Sequence, residues 1–160
     1  MISRIWRHAF VLLISAVTFT SCDKNVLMDE HIALPDNRWS STNSLKLEAV
    51  IADTAESYDV YINVRNSAGY AFSNLFLFIN TYTPDGKLAR DTMELELADE
   101  RGQWKGDGLG DIWDNRILFK KGQRFPVPGT YRFELEQAMR VEPLPGIMDA
   151  GLRIERSKKD

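Results

Sequence analysis

Leu45-Lys46-Leu47-Glu48-Ala49-Val50-Ile51, followed after a short gap by Tyr58-Asp59-Val60-Tyr61-Ile62-Asn63-Val64-Arg65, decides the fold. Leu45, Leu47, Ala49 and Ile51 alternate with Lys46, Glu48 and Val50, and Tyr58, Val60, Ile62 and Val64 alternate with Asp59, Tyr61, Asn63 and Arg65. A period of two puts each set on its own face of an extended chain, so both stretches read as half-buried antiparallel strands. Residues 72–83 are rich in aromatic and β-branched types, and Leu75-Phe76-Leu77-Phe78-Ile79 is apolar on both faces, which suits a central strand. Pro84-Asp85-Gly86 supplies a preset φ and a glycine, the chemistry of a tight turn, and predicts a hairpin into 87–97 with Met93, Leu95 and Leu97 inward. A short strand over 116–119, a turn at Pro126-Val127-Pro128-Gly129 and a strand over 130–139 follow. In the last of these Tyr131, Phe133 and Leu135 point inward, with Glu134 and Glu136 to water. After the break at 143–146, a final strand over 151–156 buries Leu152 and Ile154, and 158–160 frays. About seven strands joined by turns, with no sustained 3.6-residue period, predict an all-β chain: an antiparallel β-sandwich of jelly-roll order.

Upstream, the character changes. Arg4 and Arg7 precede the apolar run Ala9 to Phe19, which is too short to span a bilayer and suits the core of an export signal. Thr20-Ser21-Cys22 closes it, with small residues directly before the chain's one cysteine, as in a bacterial lipobox. The reading is a lipoprotein signal peptide over 1–21, cleaved after Ser21, with Cys22 acylated. An ordinary signal with an incidental cysteine, or an uncleaved anchor, would need that cysteine to fall there by chance. Residues 22–44, polar and irregular, are expected to form a lipidated tether, and 45–160 the folded domain.

Bulk properties narrow the function classes. The leader holds two of the 20 Lys and Arg and none of the 23 Asp and Glu, so its removal takes the net charge from −3 to −5. An acidic domain has no footprint for nucleic acid, whose binding rests on clustered cations. Attachment to a membrane then comes from lipid on Cys22. A single acyl chain binds marginally and several anchor stably. With that thiol consumed, neither a disulfide nor a thiolate-held metal is available.

The catalytic inventory is thin. His31 is the one histidine after the leader and falls in the expected tether, so a Ser-His-Asp or Cys-His scheme lacks a fixed base. Glu94 with Glu96, or Glu134 with Glu136, could be offered as a glycosidase pair, but residues two apart on a polar strand face normally just meet solvent. The Gly- and Asp-rich connection over 98–115 is long enough to be functional, and Asp107, Asp111 and Asp114 could give oxygen ligands to calcium, though not at EF-hand spacing. Asp111 stands where the last glycine of a phosphate-binding Gly-x-Gly-x-x-Gly would be. Trp39, Trp104 and Trp113, with Tyr58, Tyr61 and Tyr70, could stack on glycan rings, but filling a core is the simpler role. Asp53-Thr54-Ala55 and Asp91-Thr92-Met93 resemble the O-glycosylation acceptor pattern of exported Bacteroidetes proteins. No cofactor is expected.

Ala71-Phe72-Ser73-Asn74-Leu75-Phe76-Leu77-Phe78, Pro84-Asp85-Gly86-Lys87 and Arg90-Asp91-Thr92 resemble the gliding-motility lipoprotein family known as GldH. Leu97-Ala98-Asp99-Glu100, Trp104, Gly106 to Ile112, Phe133 to Arg140 and Gly151 to Glu155 follow in the same order and approximate spacing. The resemblance spans nearly all of the chain after Cys22 and includes a lipobox cysteine at that position. It implies a non-enzymatic protein of the Bacteroidetes envelope, working with other proteins of the gliding machinery or of associated envelope assembly and secretion. The favoured location is the outer membrane, on its periplasmic face. The alternative is a glycan-binding sandwich lipoprotein of the envelope.

Overall fold

The computed structural model describes residues 25–158; the expected signal peptide, Cys22 and the last two residues lie outside them. The strands are β1 (Val26–Ala33), β2 (Arg38–Trp39), β3 (Leu45–Ile51), β4 (Tyr58–Ser67), β5 (Asn74–Tyr82), β6 (Leu88–Glu96), β7 (Asp107–Leu109), β8 (Ile112–Gln123), β9 (Gly129–Gln137), β10 (Leu144–Pro145) and β11 (Ile147–Arg156). One sheet runs β1-β11-β4-β8-β7 and the other β3-β9-β5-β6, every pairing antiparallel, with β2 and β10 as a separate two-stranded ribbon. Setting aside the short β2, β7 and β10, each sheet has four strands and the chain passes repeatedly from one sheet to the other, which is the double Greek key of a jelly roll.

The period of two is visible in the burial. Along β3, Leu45, Leu47, Ala49 and Ile51 are buried and the residues between them exposed. Leu75, Leu77 and Ile79 of β5 and Tyr131, Phe133 and Leu135 of β9 extend that inner face, and Tyr58, Val60, Ile62 and Val64 of β4 with Ala150, Leu152 and Ile154 of β11 meet it from the other sheet, in one core. Each Val, Leu, Ile or Phe among them removed from water contributes about 1.5–3 kcal/mol, and together they offset the ordering of the backbone.

Two expectations are corrected. The tether predicted over 22–44 contains an edge strand: β1 pairs with β11 from Val26 to Ala33, and Leu34 and Trp39 are buried in the core. The sequence conceals it because Glu30 interrupts the alternation of Val26, Met28, Ile32 and Leu34. The strand expected at 116–119 runs instead from Ile112 to Gln123, and the connection before it folds back as the β7–β8 hairpin.

The chain direction gives the sandwich two distinct ends. At the near end lie Asn25, the loops over 52–57, 83–87 and 124–128, and the close of β11. There the Arg156 amide donates to the Asn25 carbonyl at 2.8 Å and the Ser157 amide to the Ser57 carbonyl at 2.9 Å. At the far end lie 34–44, 68–73, 97–111 and 138–146, closed by Trp39 against Leu144 in the β2–β10 ribbon.

Candidate functional site

Polar residues of β1, β11, β4 and β8 form a connected layer on the outer face of the larger sheet. His31 stands opposite Gly151, the residue without a side chain, and its ring reaches over that gap toward β4. Nδ1 lies 3.0 Å from an Asp149 carboxylate oxygen and Nε2 lies 3.2 Å from the Asn63 amide nitrogen. Asn63 also donates to Asp29 at 2.9 Å, and Asp29 accepts from Arg153 at 2.6 Å. Asp149 accepts from Arg65 at 3.0 Å, and Arg65 donates in turn to Asp114 at 3.1 Å, a bond that holds the guanidinium still more firmly protonated. Asn63 and Asp149 are buried beneath these longer side chains, so the layer is a satisfied polar network of the kind that fixes strand register.

His31 is therefore rigidly held, contrary to the expectation that it dangles in a tether. The pair His31 and Asp149 has the orientation of a general base and its orienting carboxylate. What faces Nε2 is the Asn63 amide, where a nucleophilic scheme needs a hydroxyl or thiol. Sequence reading missed Asp29, Asn63 and Asp149 as partners of His31, since 118 residues separate His31 from Asp149 and only the pairing of β1 with β11 joins them.

The other sequence-derived candidates separate. Asp107 and Asp114 are cross-strand neighbours in the β7–β8 hairpin, but Asp114 is paired with Arg65 and Asp111 sits exposed in the turn. Among the described residues no three His, Cys, Asp or Glu side chains are gathered as a metal site. Added calcium is expected to leave the melting temperature unchanged, since a ion held only by the native state would raise it; a calcium-dependent rise in a thermal melt would restore the site. The hairpin owes its path to packing. A Cβ on Gly108 would meet the Trp113 ring at 2.5 Å, and one on Gly106 would meet the Asp114 carbonyl at 2.6 Å.

Glu94 and Glu96 line an open cleft of about 580 Å³ between β6 and β8, with Lys105, Asp107, Asp114 and Arg116. Glu96 is bonded to Lys105, which holds its carboxyl below the usual range, the opposite of what a general acid needs. Glu94 accepts from Asn74 at 2.6 Å. Glu134 and Glu136, expected to face water, are half-buried and receive Tyr82 Oη at 3.3 Å and Asn80 Nδ2 at 3.1 Å respectively.

Of the aromatics offered for glycan stacking, Trp39, Tyr58 and Tyr70 are core residues, and burial pushes the Tyr70 phenol up. Trp104 lies 6.5 Å from Tyr70 on one side and 6.5 Å from Trp113 on the other, pinning the loop over 97–111 to the far end. The outward aromatics are instead Phe76, Phe78 and Tyr82 on β5, which the run of alternating Phe and Leu in 75–79 signals once a two-layer sandwich is assumed. Arg90 lies 4.5 Å over Phe78 and Arg132 lies 4.2 Å over Tyr82. Phe76 stays open and, with Phe72, Ala138, Met139, Arg140 and Val141, lines an apolar groove of about 470 Å³. At the same end of the fold, on the other sheet, Leu109 of β7 is 84 % exposed. Thr92 is exposed on the edge strand β6, and Thr54 is half-buried in the loop before β4.

The family described as GldH lipoprotein matches residues 26–154. The chain belongs to that family. A gliding motility lipoprotein GldH homolog from Christiangramia forsetii is 34% identical over 155 residues, covering 92% of this chain and 94% of the relative. The gliding motility lipoprotein GldH of Flavobacterium johnsoniae is 31% identical over 157 residues, covering 94% of this chain and 97% of the relative. A chain from the structure of the infectious bursal disease virus Gx strain aligns at 12% identity and a TM-score of 0.35, over 81% of this chain and 30% of that one, a likeness on which nothing rests. The match from residue 26 agrees with β1 as part of the folded unit.

Proposed function

We propose that this GldH-family protein is a non-catalytic component of the gliding machinery, or of the envelope assembly and secretion tied to it, held by acylated Cys22 on the periplasmic face of the outer membrane. It works by docking protein partners at the far end of the sandwich. The observation that carries the docking is the apolar groove around Phe76, at the same end of the fold as the exposed Leu109, apolar surface that a monomer normally covers. The rival reading, a glycan platform, is weakened by Arg90 and Arg132, which already occupy the ring faces of Phe78 and Tyr82.

Crosslinking of the native protein in cells, followed by recovery under denaturing conditions, is expected to bring down motility or secretion components. Phe76→Asp with Leu109→Asp is expected to lose them while the protein stays folded. Recovery unchanged in the double variant would overturn the docking surface. Cys22→Ser is expected to abolish lipid labelling and release the protein from membranes, and persistence of label would refute acylation at that residue. The same reading extends to O-glycosylation of Thr54 and Thr92. The intact mass of the membrane-extracted protein should exceed that of a Thr54→Ala, Thr92→Ala variant by a glycan, and a difference equal to the substitutions alone would exclude sugar at both.

A further inference from the structure

The near end of the sandwich differs chemically from the far end. Leu27, Val50 and Leu88 are 40%, 63% and 55% exposed, and all three lie within two residues of a strand terminus at that end: the start of β1, the close of β3 and the start of β6. At the same end, β8 and the residues after β11 bring Lys121 and Lys158 to an open cleft of about 540 Å³ that is also lined by Ser57, Tyr61, Ser157 and the carboxylates of Asp59 and Glu155. Neither lysine is in an ion pair among the described residues, and Arg124 in the next loop is likewise exposed.

The carboxylates of this end are engaged. Asp59 accepts the Gly122 amide at 2.8 Å and the Ser157 hydroxyl at 2.7 Å. Although partial burial pushes its carboxyl up, those bonds and the Lys121 charge bring it below its ordinary value. Glu155 is paired with Arg153 at 2.7 Å and Asp85 with Lys87 at 2.9 Å, while the Asp53 carboxylate accepts the Ala55 amide at 2.9 Å. Glu56 also stands in this loop and has interactions of its own. At the far end Asp36, Asp99, Glu100, Asp107, Asp111 and Glu142 outnumber the cations Arg38, Arg101, Lys105 and Arg140. The near end balances Lys87, Lys121, Arg124, Arg156 and Lys158 against Asp53, Glu56, Asp59, Asp85 and Glu155, so it is the less acidic of the two ends of an acidic domain.

Position supplies the ligand. Asn25 is hydrogen-bonded into the sheet through Arg156, and Cys22 precedes it by three residues. Three residues of extended chain reach at most about 10–11 Å. With β1 zipped into the sheet there is no long tether to hold the domain away from an acylated Cys22.

We propose that the near end of the sandwich rests directly on the membrane, with Lys121 and Lys158 on anionic phospholipid headgroups and Leu27, Val50 and Leu88 at the headgroup–acyl boundary. This rests on the acylation of Cys22 proposed above. Acyl anchoring supplies one membrane signal, and two lysines outside ion pairs together with exposed aliphatic side chains supply the second, a combination that holds a peripheral protein firmly and in one orientation. It also turns the groove around Phe76 and the Leu109 tip away from the bilayer, toward partners.

The test uses the full lipidated protein, extracted in detergent and reconstituted into vesicles of phosphatidylcholine alone or of phosphatidylcholine with phosphatidylglycerol. Acetylation of individual lysines is read by mass spectrometry, with exposed Lys46 on β3 as the internal reference. In anionic vesicles Lys121 and Lys158 are expected to react several-fold more slowly than in neutral ones, with Lys46 unchanged and the protection lost at high salt. Lys121→Glu with Lys158→Glu is expected to float with vesicles as before, while the labelling of Leu27-containing peptides by a lipid-borne photoprobe falls. Two lysines at the surface correspond to roughly a thirtyfold preference for the anionic vesicle, which the double variant removes. Flotation with neutral vesicles reports the acyl anchor alone. A protein that floats there but shows equal lysine reactivity in both vesicle types keeps its anchor and overturns the membrane-facing end. One that does not float with neutral vesicles overturns the anchor, and the close approach falls with it.

Discussion

A protein that begins at Ser44 is expected to melt far below one that begins at Asn25, or not to fold at all. The deletion removes β1 and β2, and with them Leu34 and Trp39, both buried. Truncating one buried tryptophan typically costs about 3–5 kcal/mol and one buried leucine about 2–5, against a total stability of roughly 5–15 for a domain of this size. Loss of β1 also strips β11 of a partner along seven paired positions, from Val26 to Ala33. That leaves the strand holding Ala150, Leu152 and Ile154 as a long open edge, a template for aggregation. Thermal melts followed by far-ultraviolet circular dichroism, with sedimentation to detect association, decide the matter. Equal midpoints for the two proteins would mean that β1 and β2 are appendages.

What the sequence revealed and concealed has a physical basis. Where one strand face is buried and the other solvated, as in β3, the period of two is written in residue type, and the core residues of β3, β4, β9 and the end of β11 are legible from it. An edge strand carries a weaker signal because half of its surroundings are water. In β1, Asp29, Glu30 and His31 look like tether until Arg153, Asn63 and Asp149 are seen to receive two of them. The candidate site was legible in even smaller part. The Gly- and Asp-rich loop suggests an ion, yet its glycines answer to the close approach of Trp113 and Asn115, and Asp114 to Arg65, none of which local spacing reveals. The outward aromatics of β5 are readable as apolar residues, but only the two-layer sandwich turns one face of that strand outward, since a strand apolar on both faces fits equally the centre of a three-layer fold.

The remaining large effect is expected at Gly151, which a φ argument would pass over because its backbone is ordinary extended strand. A Cβ placed there would stand 1.9 Å from the Glu30 carbonyl oxygen and 2.9 Å from the His31 Cα. Both are backbone atoms of the paired strand, so no side-chain rotation relieves the contact and β1 itself must move. Overpacking of this kind costs about 1–3 kcal/mol. The displacement also draws Asp29 and His31 off Asn63, Asp149 and Arg153, and each bond lost adds about 1 kcal/mol or somewhat more where a charge is left buried. Gly151→Ala is therefore expected to lower the denaturant midpoint well beyond Gly69→Ala, whose Cβ would meet nothing nearer than Ser67 Oγ at 3.8 Å. The loss is expected to be local before it is global, with amide exchange faster in β1 and at the β11 positions facing it, and β5 protected as in the parent. That pattern separates loosening of the strand next to Cys22 from general destabilisation of the core. Equal midpoints for the two variants, or exchange raised uniformly through both sheets, would show that β1 is not held by the fit of His31 over Gly151.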